Sequence, residues 1–148
     1  MKKLIILSVF LINAIAFGQI HKPVKWSTSV KKISDTDYEL IATATIETGW
    51  HLYSQRVPEG GPIPTTFTFE EGNTYTRFGG VAEEKGHTVQ DKIFNMKIKY
   101  FDTKAVFKQR IKVNGSAKFK VAGFVEFMVC NDTSCLPPTE VELEFDIN

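Results

Sequence analysis

Cysteine is nearly absent from this 148-residue chain, occurring at positions 130 and 135 and nowhere else. Any redox or metal chemistry must therefore pass through the stretch Phe127-Met128-Val129-Cys130-Asn131-Asp132-Thr133-Ser134-Cys135-Leu136-Pro137-Pro138. An excess of charge is missing too. The 18 basic and 17 acidic residues nearly cancel, and phosphate binding needs a clustered basic surface, which argues against nucleic acid as a partner. No long apolar run follows residue 18, which leaves no candidate membrane span in the remainder. A helical period is lacking as well. From Val24 onward short alternating runs follow one another, divided by turn residues, and this is the pattern of strands. Internal repeats and low-complexity tracts are absent.

What is present begins at the N-terminus. Lys2-Lys3, an apolar stretch from Leu4 to Phe17, and the small residues Ala16 and Gly18 make residues 1–18 a secretory signal peptide, with cleavage expected after Gly18. The stretch is short for a membrane span and is interrupted by Asn13; an uncleaved anchor is the alternative. No cysteine follows it, so no lipoprotein anchor is expected. Cleavage removes Lys2 and Lys3 and no acid, leaving 16 basic against 17 acidic residues. Residues 19–148 then fit one domain able to bury a core without disulfide help. An exported chain sits where disulfides persist, so the cysteine pair is expected to be able to oxidise.

Along the mature chain, Trp26 to Ile33 is a first candidate strand. In the next, Tyr38, Leu40, Ala42, Ala44 and Ile46 alternate with more polar neighbours, which gives one apolar face. Trp50 to Gln55 is a short strand, and residues 57–64, rich in Gly and Pro, form a loop. Thr65 to Glu70 alternates again. Residues 71–92 show no readable pattern, whereas Met96 to Tyr100 and Ala105 to Val113 are strands. Asn114-Gly115 predicts a hairpin through a type I′ turn, which wants positive φ at both positions. Its second arm would be Ala117 to Val129, with Phe119, Val121, Gly123, Val125, Phe127 and Val129 on one face. Val141, Leu143, Phe145 and Ile147 alternate in a final strand. Eight or so strands without helical crossovers predict an all-β fold, an antiparallel β-sandwich.

The cysteine loop supports more than one reading. Five extended steps would separate the cysteines by roughly 16 Å, whereas a disulfide needs Cα atoms about 4.4–6.8 Å apart, so the chain must turn back. Asn131, Asp132 and Ser134 are turn formers, and Pro137-Pro138 keeps the exit from entering a central strand. A structural disulfide is the ordinary use of two cysteines in an exported β protein. Closing so small a ring, however, removes only ~2 kcal/mol of unfolded-state entropy, and a local ring also suits a pair that opens and closes. The loop carries no Lys, Arg or His to lower a thiol pKa, so fast unaided attack is not expected. His51, His87, Met96 and Met128 could join the cysteines around copper or zinc, but none sits at ligand spacing. No metal and no cofactor is therefore expected.

The run Val125 to Pro138, with a strand to the C-terminus, resembles the N-terminal periplasmic domain of the DsbD thiol:disulfide interchange proteins. Gly49-Trp50-His51-Leu52-Tyr53-Ser54-Gln55 is similar to that family's Gly-aromatic-x-Leu-Tyr segment, and Gly61-Pro62-Ile63-Pro64-Thr65 to the loop found next in its shorter relatives. The resemblance covers most of residues 22–148. It implies an immunoglobulin-like sandwich in the periplasm whose Cys130 and Cys135 cycle between dithiol and disulfide, with Cys135 favoured to form the mixed disulfide with a partner. The partners it implies are a membrane-embedded electron donor of the DsbD or CcdA kind and thioredoxin-fold clients outside the cytoplasm, a setting that includes cytochrome c biogenesis. It also implies a cap loop over the cysteines. Asp91 to Met96 occupies the corresponding stretch, with Phe94 as the cap aromatic or, equally, a core residue. Asp91 and Tyr53 match positions near the family's active site. Two departures stand out: four residues separate these cysteines where the best-known members have five, and the chain ends at Asn148, so separately encoded partners are expected. The rival reading is a non-enzymatic secreted binding module with an inert Cys130–Cys135 staple. Asn131-Asp132-Thr133 and Asn114-Gly115-Ser116 also match glycosylation acceptors.

Overall fold

A computed structural model describes residues 21–115 and 118–148. The expected signal peptide lies outside the described residues. Eleven strands and no helix occur among those described: β1 Val24–Lys32, β2 Asp37–Ile46, β3 His51–Tyr53, β4 Thr66–Phe69, β5 Tyr75–Glu83, β6 His87–Asp91, β7 Met96–Phe101, β8 Lys104–Val113, β9 Phe119–Phe127, β10 Val129–Cys130 and β11 Thr139–Ile147. They pair, always antiparallel, into sheets ordered β1-β2-β8-β5, β11-β9-β4 and β10-β3-β7-β6. The fold is the expected all-β immunoglobulin-like sandwich.

The alternation predicted for β2 is what builds the main core. Tyr38, Leu40, Ala42, Ala44 and Ile46 are all buried, because residues two apart share a face of the pleat. They meet Val121, Val125 and Phe127 of β9 and Leu143, Phe145 and Ile147 of β11 in one apolar cluster. Trp26 ties the layers together, with its ring 5.8 Å from Phe67 and from Phe107 and 5.5 Å from Phe127. Gly123 sits on the packed face of β9 for a steric reason: a Cβ there would lie 2.4 Å from the Thr68 carbonyl oxygen of β4.

Two expectations need correction, and one unread stretch is resolved. Asn114-Gly115 does not join a hairpin, since β8 and β9 lie in different sheets. Gly115 has φ +104, but Asn114 is not in the positive region, and its N–H donates to Thr74 while its side-chain amide donates to Asn73. The turn is thus fastened to the β4–β5 connection, and the next strand, β9, belongs to another sheet. Ala117, where the second arm was expected to begin, lies outside the described residues. That arm also does not run unbroken to Val129. It is interrupted at Met128, and β10 continues in another sheet. Finally, residues 71–92 hold two strands, β5 and β6. Both are sheet edges exposed along most of their length, so neither has a buried face to write an alternation into the sequence.

Candidate functional site

The sheet β10-β3-β7-β6 packs on both of its faces, and period-two alternation decides which residue goes where. Leu52, Phe101 and Val129 point into the main core. Their neighbours Tyr53, Ile98 and Cys130 point the other way, into a second, smaller buried cluster joined by Val57, Phe94, Met96, Tyr100, Met128 and Cys135. The cysteine pair therefore has an apolar compartment separate from the one that holds the sandwich together.

Cys130 and Cys135 form a disulfide with Cα atoms 4.0 Å apart. The bridge closes a hairpin: Asn131 N–H donates to the Ser134 carbonyl at 2.9 Å, and Leu136 N–H donates to the Val129 carbonyl at 2.9 Å. Those two bonds flank an isolated antiparallel pairing of Cys130 with Cys135. The cysteines thus occupy a non-hydrogen-bonded position, where opposed Cα atoms approach to about 4.5 Å and side chains are closest. In such a position the backbone N–H and C=O of Cys135 face away from the hairpin. Among the described residues nothing donates to or accepts from them. Cys130 is fully buried, whereas Cys135 is half-buried. Within the turn, the Asn131 side-chain oxygen accepts from the backbone N–H of Thr133 at 3.0 Å and of Ser134 at 2.8 Å, and from both hydroxyls at 3.0 and 3.3 Å.

Across the compartment stands the turn 92–95 between β6 and β7. Asp91 and Met96 pair at its base, and Asn95 at φ 51, the single non-glycine residue with positive φ among those described, closes it. The Asp91 carboxylate organises this turn. One oxygen accepts from the N–H of Ile93 at 2.8 Å and of Phe94 at 3.0 Å, and the other accepts from the Tyr53 hydroxyl at 3.1 Å. Phe94 lies edge-on to Tyr53, with centroids 6.2 Å apart, and packs against the cluster that contains both cysteines. Burial first, then the charge and hydrogen bond of Asp91, hold the Tyr53 phenol far above its ordinary pKa, so it stays a donor. Tyr100 is raised in the same direction by burial, then by Asp102, Asp132 and Asp91.

The residues named from sequence are therefore brought together: Cys130, Cys135, Phe94, Tyr53 and Asp91 share one compartment. The candidate metal ligands do not converge in the same way. His51 stacks on Tyr100 at 4.0 Å, and His87 lies 3.6 Å from Asp102; Met96 and Met128 pack beside the cysteines. Among the described residues no group of three or more His, Cys, Asp or Glu side chains is placed to hold an ion. The loop supplies no cation to the thiols, but strand pairing sets His51 opposite Cys130, on the same face of the sheet. His51, Tyr100, Asp91, Ile93, Asn131 and Asp132 line a cleft of about 240 Å³ beside the disulfide loop.

A second polar group escaped the sequence. The Glu83 carboxylate of β5 accepts from Ser54 Oγ at 2.5 Å, Gln55 N–H at 2.9 Å and Lys99 Nζ at 2.9 Å. Burial pushes its pKa up, yet these donors together outweigh burial and hold it below the usual 4.5. Thr65 Oγ donates to the Tyr53 carbonyl at 2.6 Å, so the strand end beneath the site is fixed from two sides. Ser54 and Glu83 are 29 residues apart, and no local pattern announces such a pair.

The sequence profile of the family described as "Thiol:disulfide interchange protein DsbD, N-terminal" matches residues 22–146. Two solved structures share the fold. The reduced DsbD N-terminal domain of Neisseria meningitidis superposes with a TM-score of 0.53 at 13% identity, over 82% of this chain and 85% of that one. The N-terminal periplasmic domain of ScsB from Proteus mirabilis gives 0.55 at 17%, over 87% of this chain and 50% of that one. Comparison with curated protein sequences finds no match.

Proposed function

Because the chain belongs to the family of DsbD N-terminal domains, a thiol:disulfide interchange family, we propose that Cys130 and Cys135 are its redox pair and relay reducing equivalents outside the cytoplasm. In this reading residues 1–18 direct export and 19–148 work in the periplasm, between a membrane-embedded donor of the DsbD or CcdA kind and thioredoxin-fold clients. The carrying observation is the asymmetry of the pair: Cys130 is 0% exposed while Cys135 is half-buried, with its backbone donor and acceptor turned outward.

The chemistry balances as two exchanges. The Cys135 thiolate attacks one sulfur of a client disulfide, forming a mixed disulfide and releasing the client's other sulfur as a thiolate that takes up a proton. The Cys130 thiol then loses its proton and attacks the Cys135 sulfur, closing the ring and expelling the second client sulfur. Two electrons and two protons have passed to the client. A dithiol on the membrane donor restores Cys130 and Cys135 by the same steps in reverse. Phe94 acts as the cap, with Asp91 and Tyr53 holding its turn closed until a partner docks. Gating of this kind replaces a resting low pKa, which the loop has no cation to provide.

The full burial of Cys130 also favours a second reading, an inert staple in a binding module. A glutathione redox titration separates the two. An exchange-active pair has a potential above about −300 mV, whereas structural disulfides typically lie below it. In parallel, Cys130→Ser should accumulate mixed disulfides with thioredoxin-fold proteins through Cys135. A potential below that limit together with no adduct from either Cys130→Ser or Cys135→Ser would leave only the staple.

A further inference from the structure

We propose that Asn131 is a positioning residue for the redox pair: its side-chain amide holds the hairpin in the closing geometry when the disulfide is open. This rests on the exchange role proposed above. The bonds that shape the turn are independent of sulfur. Asn131 Oδ1 gathers the Thr133 and Ser134 N–H groups and their hydroxyls, all inside the ring. The two backbone bonds that flank the cysteines complete the frame. None involves Sγ, so each survives reduction.

Two consequences follow for the chemistry. In the dithiol form the Cys130 sulfur stays opposite Cys135, and a mixed disulfide on Cys135 meets its resolving thiol at high effective concentration. The equilibrium is tuned in the same way. Without Asn131 the open loop gains backbone freedom, whereas the closed loop cannot, because the disulfide itself restrains it. The freedom gained must be surrendered again on closure, so the variant favours the dithiol. Releasing about one residue corresponds to roughly a tenfold shift.

The test compares wild type, Asn131→Ala and Asn131→Asp in glutathione buffers, with the oxidised fraction read by alkylation and mass spectrometry. Asn131→Ala should move the dithiol–disulfide constant about tenfold toward dithiol, which is about 30 mV more oxidising, and should lengthen the life of the glutathione adduct on Cys135. Asn131→Asp keeps a side-chain oxygen for the same donors and should stay within about twofold of wild type. An Asn131→Ala constant within twofold of wild type, with both redox forms losing equal thermal stability, would overturn the proposal and leave Asn131 a structural residue. A wild-type pair that only dithiothreitol opens would remove the exchange role instead. The same comparison, made against dithiothreitol, would then still decide whether Asn131 sets the closing equilibrium.

Discussion

Tyr53→Phe is the sharpest probe of whether the turn over the cysteines is a gate. The substitution deletes one hydroxyl whose partner, Asp91 Oδ2, is 3.1 Å away inside the protein. A hydrogen bond to a charged group is typically worth ~1.5–3 kcal/mol. Asp91 keeps its two backbone donors at 2.8 and 3.0 Å on its other oxygen, but Oδ2 loses its donor, so a loss of at least about 1.5 kcal/mol is expected. The phenyl ring retains the fully buried volume of Tyr53, so no cavity adds to the cost. If turn 92–95 opens as a unit, the closed form is weakened by that amount. Its open population then rises at least about tenfold, since 1.4 kcal/mol is a factor of ten.

The assay is alkylation of Cys130 in a reduced Cys135→Ser background, without denaturant, where global unfolding is too rare to contribute. Gly123→Ala is the control. Its new Cβ would meet the Thr68 backbone carbonyl at 2.4 Å, so β4 and β9 must shift and the sandwich is destabilised by overpacking, although neither Gly123 nor Thr68 belongs to the cysteine cluster. Tyr53→Phe should accelerate modification of Cys130 at least about tenfold, and Gly123→Ala should leave it unchanged. The reasoning is refuted if Tyr53→Phe loses stability without changing the rate, or if the control accelerates it equally.

Phe94→Ala should also speed alkylation of the reduced cysteines while the circular dichroism of the sandwich is kept; an unchanged rate would make Phe94 a core residue. The Glu83 group predicts a pH dependence. Its folded pKa is depressed below 4.5, so its contribution is present above that value and is lost as pH falls through the folded pKa. Urea unfolding of Glu83→Gln should show lower stability at neutral pH and a flatter decline below pH 4.5; parallel wild-type and variant curves would contradict it. Tyr53 acts at the other end of the scale. Its pKa is raised from 10.0, so the folded state loses stability as pH climbs past 10.0, and Tyr53→Phe should flatten that limb.

How much was legible depended on whether a residue's role was written in its neighbours. The buried face of β2 and the final strand stand out, because alternation against solvent is a local signal. The cysteine turn was legible for the same reason: Asn131 and Ser134 act within the four residues between the cysteines. By contrast, Asn114-Gly115 has the local chemistry of a hairpin and is used otherwise, since bonds to Asn73 and Thr74 hold Asn114 where a type I′ turn would not place it. Tertiary contact overrode local preference there. Strand β5 stayed hidden because an exposed edge with a bulge between Phe78 and Ala82 has neither a buried face nor an even register. Glu83 stayed hidden with it. The family resemblance led to Phe94, Asp91 and Tyr53, where composition alone would have left a polar turn and two ordinary strand residues.

In the proposed reading, the two-faced sheet lets such a site be operated without disturbing the fold. A single sandwich core would couple any movement over the cysteines to the packing that holds the layers together, because dense interiors transmit strain. Here Leu52 and Tyr53 are adjacent in sequence but belong to different clusters, as do Val129 and Cys130. Each pair is split by the pleat, one member facing the main core and the other the cysteine compartment. Leu52, Phe101 and Val129 pack in the main core, while the turn 92–95 on the opposite face is held by the Asp91 carboxylate, the Gln90–Asn95 hydrogen bond and the Asp91–Met96 pairing at its base. If Phe94 is the cap, the cost of lifting that turn is set chiefly by the Asp91 bonds and the Phe94 contact, with the exposed Gln90–Asn95 hydrogen bond at 3.3 Å beside them, a few kcal/mol, which is the range in which a docking partner can open it.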